Sequence, residues 1–200
     1  MVKYINTMHH IYHTEGIILS SQDLGEDNRR YAIFTRELGL IYARATGVRK
    51  MHSKLRFVLQ DFAYIKADLV QGKNYWRITS ASKTGKLEHL TKNKTAMRVF
   101  ANIAALLERL LPRTETNELL FTDFFQGLNF LEQTKTIEDF NNIEITIVLR
   151  ALNHLGYIGE GAPVDSFIKS PLEAELVYRV AEHRRVLLRE INQALRESHL

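Results

Sequence analysis

The hydrophobic pattern of this 200-residue chain changes its period near Gly85, and the change divides the chain into two kinds of structure. From Thr14 to Ser82 the apolar residues alternate over short distances and include many β-branched and aromatic side chains, as is typical of β-strands. After Gly85 they recur at the 3.6-residue spacing of amphipathic helices. We therefore predict an α+β chain, with a β domain at residues 1–84 followed by an all-helical domain at residues 85–200.

Five short strands are predicted in the first half, at about residues 12–20, 29–36, 40–47, 55–70 and 74–82. Turn residues separate them, with a tight hairpin at Glu37-Leu38-Gly39 and polar, Gly-containing turns at residues 23–28 and 71–74. Short strands joined in this way favour a small closed barrel of the OB-fold type. An SH3-like barrel and an open meander are the alternatives that the pattern leaves open.

Four amphipathic helices are predicted in the second half, near residues 90–111, 120–131, 137–155 and 170–195. Pro112 ends the first helix, and Gly156 is well placed to end the third. The last helix is expected to begin at Ser170, whose N-cap hydroxyl is followed by a proline and by a capping-box glutamate at Glu173. Since no long linker separates the two halves, we expect them to pack together.

The positive charge of the chain is concentrated between Arg29 and Arg56. This stretch holds eight Lys or Arg against one acid, Glu37, and aromatic residues are interleaved with the cations on predicted strands. Residues 1–90 carry a net charge of +6, whereas residues 91–200 carry −2. Cations among aromatic side chains on a sheet are typical of a surface that binds nucleic acid. A basic solvated face is the alternative, although such faces more often mix both signs.

Side-chain alternation indicates which residues of this surface are available to a ligand. In the third predicted strand, Tyr42 and Arg44 lie opposite a face of small and branched apolar residues that suits a core. In the fifth, Tyr75 and Arg77 lie opposite Trp76, which we interpret as a core residue, so Tyr42 and Tyr75 are the preferred stacking candidates. The predicted nucleic-acid-binding residues are Arg29, Arg30, Tyr42, Arg44, Arg49, Lys50, Lys54, Arg56, Tyr75 and Arg77.

The helical half carries an aromatic stripe from Phe121 to Phe130. A packed core is the first explanation for it. Because the aromatic residues of the stripe span more than one face of a helix, some of them could also line an exposed groove. An apolar groove with arginines at its rim suits a peptide that ends in hydrophobic and acidic residues. The candidate partner-binding residues are Arg98, Arg109, Phe121, Phe124, Phe125 and Arg150, with Arg113 as a further candidate for the rim.

No catalytic, cofactor or metal site is predicted. The chain has neither a phosphate-gripping NTPase loop nor a dinucleotide motif, and it has no cysteine, which excludes thiolate metal sites and fits a reducing compartment. The histidines His9, His10 and His13 lack further ligands, and the acids at residues 23–27 are interpreted as a turn rather than a magnesium site. With no run of about 18 apolar residues and no secretory signal pattern, we expect a cytoplasmic protein without a membrane span.

Short motifs in a fixed order carry a family resemblance. They are TEGIIL at residues 14–19, GED at 25–27, FTRELG at 34–39, GVR at 47–49, SKLR at 53–56, LQDF at 59–62 and, in the helical half, LRALNHLGY at 149–157. Together they resemble the bacterial DNA repair and recombination mediator family RecO, in which a helix ends in a similar Leu-Gly-Tyr. The resemblance covers about residues 12–157.

The resemblance implies an N-terminal OB-fold followed by a helical domain, in agreement with the periodicity. It also implies a protein that binds single- and double-stranded DNA, anneals complementary strands and works with RecR to load recombinase onto DNA coated by single-stranded-DNA-binding protein. No enzymatic turnover is implied. The helical half is implied to contact the acidic C-terminal tail of that binding protein, which would give the candidate groove a purpose.

The chain departs from the family pattern in two respects. Many members carry four zinc-binding cysteines after the Leu-Gly-Tyr segment, whereas residues 158–169 contain none, so no zinc is expected. The chain is also somewhat shorter than is usual for the family. Two alternatives from other classes stay open: an RNA-binding OB-fold protein, and a protein–protein scaffold with a basic docking face. A metal-dependent nuclease is the least favoured.

Overall fold

A computed structural model of the chain describes residues 10–73, 75–113, 115–159, 161 and 164–198. Its strands are β1 (Ile11–Leu24), β2 (Asn28–Thr35), β3 (Gly39–Ala45), β4 (Tyr64–Gln71) and β5 (Trp76–Lys83). They close into a barrel in the order β1-β2-β3-β5-β4, in which the β3–β5 pair is parallel and the other pairs are antiparallel. This confirms the predicted OB-fold barrel, and the closure excludes an open meander.

The segment before β4 corrects the predicted fourth strand. Residues Leu55–Val58 form a short helix, α1, and β4 begins only at Tyr64. Leu59 lies in the barrel interior together with Val48, so this segment closes one end of the barrel instead of extending a strand. The apolar residues of this segment cover the end of the barrel. The strand was predicted because the hydrophobic pattern of a short apolar run does not distinguish such a cap from a strand.

Two further strand limits differ from the prediction. β1 continues to Leu24, so the first turn is reduced to residues 25–27, where Gly25 has a φ of 64°. β5 begins at Trp76, and Asn74, at which the predicted strand began, lies outside the described residues. The β2–β3 hairpin at Glu37-Leu38-Gly39 is confirmed, with Gly39 at a φ of 66°.

The second half is helical, as predicted. Its helices are α2 (Lys94–Leu110), α3 (Glu118–Gln133), α4 (Ile137–His154), α5 (Asp165–Lys169) and α6 (Ala174–Glu197). Asn93 caps α2 by accepting hydrogen bonds from the N–H groups of Thr95 and Ala96, and Gly156, at a φ of 78°, follows the end of α4. Among the described helices, none has the length and apolar character that a membrane crossing requires.

The start of the last helix corrects the sequence interpretation. α6 begins at Ala174, and Ser170 instead ends α5 in an extended conformation. The carbonyl of Ser170 accepts a hydrogen bond from the buried guanidinium of Arg150, which holds the chain away from α6 at this point. A tertiary contact therefore overrides a local capping signal.

The barrel and the helices share one of the two largest cores. The barrel interior is filled by Tyr31, Ile33, Ile41 and Trp76 among others, which confirms Trp76 as a core residue. A second core lies outside the barrel, where Phe34 packs against residues of α2, α3 and α4. The expectation that the two halves pack together is thus confirmed.

Candidate nucleic-acid interface

Three arginines lie side by side across three neighbouring strands of the barrel. The register pairs Arg30 of β2 with Arg44 of β3, and Arg44 with Arg77 of β5. Neighbouring strands are about 4.8 Å apart, so the three side chains leave the sheet as one row. All three residues are exposed. We call Arg30, Arg44 and Arg77 the arginine ladder.

The ladder carries positive charge that the described carboxylates do not neutralise. Arg30 donates a hydrogen bond to the amide oxygen of Gln22 at 2.7 Å, and Arg44 lies over the ring of Tyr75, 4.0 Å from its centroid. No carboxylate in the described part of the chain forms an ion pair with any of the three. Such a row of cations generates a positive potential that attracts a polyanion.

The helical half determines how much of this outer barrel face is open. Along β2 the outward side chains are Arg30, Ala32 and Phe34, following the two-residue period of a strand. Phe34 is buried under α3, whereas Arg30 is exposed at the other end of the strand. The helices therefore cover one end of the face and leave the ladder accessible.

Tyr75 is the aromatic side chain best placed beside the ladder. It is 44% exposed and directly precedes β5, and its ring packs on the guanidinium of Arg44. An exposed ring next to cations can stack on a base while the cations contact phosphates. Its exposure is compatible with the predicted stacking role, which stays a prediction.

Tyr42 occupies a different environment from the one predicted. Its hydroxyl donates to a carboxylate oxygen of Glu108 on α2 at 3.2 Å, and the guanidinium groups of Arg30 and Arg113 lie 5.4 and 4.9 Å from its ring centroid. Burial, and then the charge of Glu108, raise the pKa of Tyr42. The expectation that Tyr42 faces a ligand is corrected: its ring is held between arginines at the boundary between the barrel and α2.

The basic loop after β3 is tied to the β1–β2 turn by ion pairs. Asp23 accepts a hydrogen bond from Arg29 at 2.6 Å and lies 3.3 Å from Arg49, while Lys50 lies 3.5 Å from Asp27. The hydrogen bond from Arg29 is the main cause that lowers the pKa of Asp23. Arg29, Arg49 and Lys50 are therefore partly compensated by acids, unlike the ladder.

The remaining predicted cations, Lys54 and Arg56, are exposed at the start of α1. Beside them, Phe57 is 63% exposed, with the Arg56 guanidinium 6.0 Å from its ring centroid. Phe57 is not among the predicted stacking residues, because residues 55–70 were predicted to form a strand, whereas Leu55–Val58 form a helix. The signal available was the position of Phe57 within the basic SKLRF segment.

The candidate metal ligands have other partners. Among the described residues, no group of three or more His, Cys, Asp or Glu side chains is arranged to hold a metal ion. His13 contacts Asp68 at 2.6 Å, and Asp23 and Asp27 contact the cations of the basic loop. His9 lies outside the described residues.

Two of the three aromatic members of the candidate partner site are core residues. Phe121 is 0% exposed and Phe124 is 1% exposed, so neither presents a surface to a partner, which supports the core explanation of the stripe. Phe125 is half-buried and packs at a tilt against the ring of Tyr64, with centroids 4.8 Å apart, and Lys86 lies 5.3 Å from its ring centroid.

The arginines of that site differ in burial. Arg150 is 6% exposed, and its guanidinium donates to the carbonyls of Phe167 and Ser170 and lies 4.0 Å from Asp123. Burial lowers the pKa of Arg150, which connects α4 to the segment after α5. Arg98 and Arg109 are exposed on α2. Arg150 is corrected from a candidate rim residue to a structural one.

Comparison with known proteins finds the same family along most of the chain. The family model described as Recombination protein O N terminal matches residues 8–85, and Recombination protein O C terminal matches residues 95–159. A DNA repair protein RecO from Desulfitobacterium hafniense is 30% identical over 74% of this chain and 52% of its own length. One from Heliobacterium modesticaldum is 28% identical over 82% of this chain and 61% of its own length.

Proposed function

Because this chain belongs to the RecO family of recombination proteins, we propose that it acts in DNA repair and recombination as a mediator that binds DNA and anneals complementary strands. The chain spans about half the length of the curated relatives it matches, 52% in the first case. In this proposal it binds single- and double-stranded DNA and helps to load recombinase onto strands coated by single-stranded-DNA-binding protein. It acts without catalytic turnover, metal or cofactor.

The arginine ladder is the observation that carries the proposal. Its three charges lack ion-paired acids among the described residues, and Tyr75 offers an exposed ring beside them. Arginines that contact phosphate release counterions whatever the base sequence, so binding is expected to be strong at low salt and largely independent of sequence.

Annealing needs no chemistry from such a surface. Two complementary strands repel each other through their phosphates, and a row of guanidinium groups lowers that repulsion while the strands meet. Base pairing then supplies the free energy, and stacking on Tyr75 holds a base in an unpaired, accessible state.

We further propose a division of roles between the two halves. Residues 1–84 provide the DNA surface, and residues 85–200 contact RecR and the acidic tail of the single-stranded-DNA-binding protein. The support for these partners is the family membership together with the exposed cations Arg98 and Arg109 on α2. The buried residues Phe121, Phe124 and Arg150 take no part in this proposal.

The ladder is tested by the triple variant Arg30→Gln/Arg44→Gln/Arg77→Gln. On single-stranded DNA, the slope of log affinity against log salt should become shallower by about 2, since each lost contact contributes about 0.7. Annealing of labelled complementary oligonucleotides, without ATP or metal, should slow in parallel. Binding of an acidic, Phe-terminated peptide should be unchanged in this variant.

The matched control is Arg185→Gln/Arg189→Gln/Arg196→Gln, which removes the same charge from exposed positions of α6. It should keep the wild-type slope. If both triple variants reduced the salt slope equally, the change would reflect net charge alone, and the proposal that DNA binds at the ladder would be refuted. Tight DNA binding with no acceleration of annealing would refute the mediator proposal, and a strong preference for RNA of the same sequence would favour the RNA-binding alternative.

A further inference from the structure

A cavity of about 300 Å³ lies beside α1, at the end of the barrel where β2 begins. Its lining residues are Arg29, Tyr31, Val48, Arg49, Arg56 and Leu59. Tyr31, Val48 and Leu59 belong to the barrel interior and form the floor, whereas the three arginines form the rim. We call this cavity the barrel-end pocket.

The hydroxyl of Tyr31 is an unused donor at the floor of the pocket. The residue is 0% exposed, and its hydroxyl makes no hydrogen bond of normal geometry in the described structure. The Arg29 guanidinium is close enough to act on the hydroxyl oxygen, but a guanidinium can only donate, so the O–H donor stays unused. Burial raises the pKa of Tyr31 to about 12, with Arg29 acting in the opposite direction, so the hydroxyl keeps its proton at neutral pH. Buried polar groups are almost always paired, and this one therefore indicates a ligand that supplies an acceptor.

The charge of the rim specifies the ligand further. Arg29 and Arg49 share Asp23, and within the described residues this is the only carboxylate that forms an ion pair with any rim arginine. The charge of Asp61 also acts on Arg29 and Tyr31 at longer range. The three guanidinium groups still outnumber these two carboxylates, so the rim keeps a net positive charge that suits a phosphate monoester. Guanidinium groups are the preferred donors for phosphate oxygens.

We propose that the barrel-end pocket binds the terminal phosphate of a DNA strand, a role that rests on the DNA binding proposed above. A terminal phosphate carries two charges and projects from the chain, so it can enter a cavity with a buried donor. An internal phosphodiester carries one charge and is flanked by sugars on both sides.

The position of the pocket relative to the ladder favours DNA over a free phosphate compound. Arg29 and Arg30 are neighbours in β2, and alternate residues of a strand point to opposite faces. Arg30 belongs to the ladder on the outer surface, while Arg29 lines the pocket. A strand that follows the ladder therefore ends beside the mouth of the pocket.

The test compares three oligonucleotides of one sequence, carrying a 5′-phosphate, a 3′-phosphate or hydroxyls at both ends. The wild-type protein should bind one phosphorylated form several-fold more tightly than the hydroxyl form. Tyr31→Phe should lose this preference and keep the wild-type affinity for the hydroxyl form. Arg56→Gln should also lose the preference, in addition to any loss of affinity that all three oligonucleotides share. Arg98→Gln, an exposed cation on α2, is the control and should keep the preference.

The outcomes separate this proposal from the proposed function. Equal wild-type affinity for all three oligonucleotides overturns the pocket and leaves DNA binding intact, whereas no binding of any of them overturns DNA binding itself. A preference that survives in both Tyr31→Phe and Arg56→Gln also overturns the pocket. A mononucleotide monophosphate that competes for the pocket as well as the phosphorylated strand does would overturn the assignment to strand ends.

Discussion

At the scale of single residues, the structure separates cations that look alike in the sequence. Arg29 and Arg30 are adjacent, yet Arg29 is bound to Asp23 and faces the barrel-end pocket, while Arg30 is free of acidic partners in the described structure and joins the ladder. The difference arises because neighbouring residues of a strand lie on opposite faces. A substitution at one of them tests a different surface from a substitution at the other.

Tyr31 provides a stability test at this scale. Because an unpaired buried hydroxyl costs about 1–3 kcal/mol, Tyr31→Phe should leave the free energy of unfolding at pH 7 unchanged or raise it by about 1 kcal/mol. The folded-state pKa of about 12 is above the unfolded value near 10, so the folded protein holds this proton more tightly than the unfolded chain does. The stability that comes from this tighter proton binding is complete below pH 10 and is lost as the pH rises towards 12. The variant should therefore lose less stability between pH 10 and 12 than the wild type.

Urea unfolding at a series of pH values measures both effects, with Tyr75→Phe as the exposed control. The pKa of Tyr64 is also raised to about 12 by burial, and this residue is present in every variant. Each variant should therefore still lose some stability between pH 10 and 12. If Tyr31→Phe were destabilised by more than about 1 kcal/mol at pH 7, the hydroxyl would have a stabilising partner in the free protein.

At the scale of elements, the β2–β3 hairpin connects the barrel to the chain before α3. Thr35 stabilises the turn, accepting from the N–H of Leu38 at 3.0 Å and donating to the carbonyl of Gly39 at 2.9 Å. Leu40 forms an isolated bridge with Arg113, whose guanidinium lies over Tyr42. The hairpin thus positions the arginine that covers Tyr42.

Gly39 is the residue on which this approach depends. A Cβ there would lie 2.0 Å from the carbonyl oxygen of Glu115, and the φ of 66° is strained for any other residue. Gly39→Ala should lower the free energy of unfolding by at least about 2 kcal/mol in urea titrations. Gly25→Ala has a similar φ of 64° but no atom within 4 Å of the added Cβ, so it should cost only about 1 kcal/mol. Equal losses in the two variants would contradict the close contact.

At the scale of the whole molecule, the two halves form one folding unit through a shared core. Phe34 of the barrel packs against Phe121 and Phe124 of α3, with ring centroids 5.3 and 6.2 Å apart. The helices that complete this core also cover the outer face of β2 up to the ladder. The stability of the barrel and the extent of its open surface therefore depend on the same contacts.

Phe121→Ala tests this coupling. Loss of a fully buried phenylalanine should cost about 3–5 kcal/mol. The single tryptophan, Trp76, reports on the barrel by fluorescence, and circular dichroism at 222 nm reports mainly on the helices. Both urea transitions should shift together in Phe121→Ala, whereas Phe57→Ala, which changes a 63% exposed ring, should leave them in place. A shift of the dichroism transition alone would refute the shared core.

The sequence by itself determined what depends on local pattern. The change of period near Gly85 identified the strand half and the helical half, and alternation placed Trp76 in the barrel core. Turn chemistry located the hairpin at Gly39, and the motif order identified the family. Each of these signals lies within a few residues of chain, where steric preferences and side-chain period act directly.

Only the tertiary structure decided which faces are covered and which charges are paired. It buried Phe121 and Phe124, placed Tyr42 beside α2, bound Arg150 to the carbonyl of Ser170 and turned residues 55–58 into a helix. It also pairs the loop cations with acids, whereas no acid in the described part of the chain forms an ion pair with the ladder. These outcomes depend on contacts between residues far apart in the chain, and hydrophobic period carries no information about which neighbour will cover a given face.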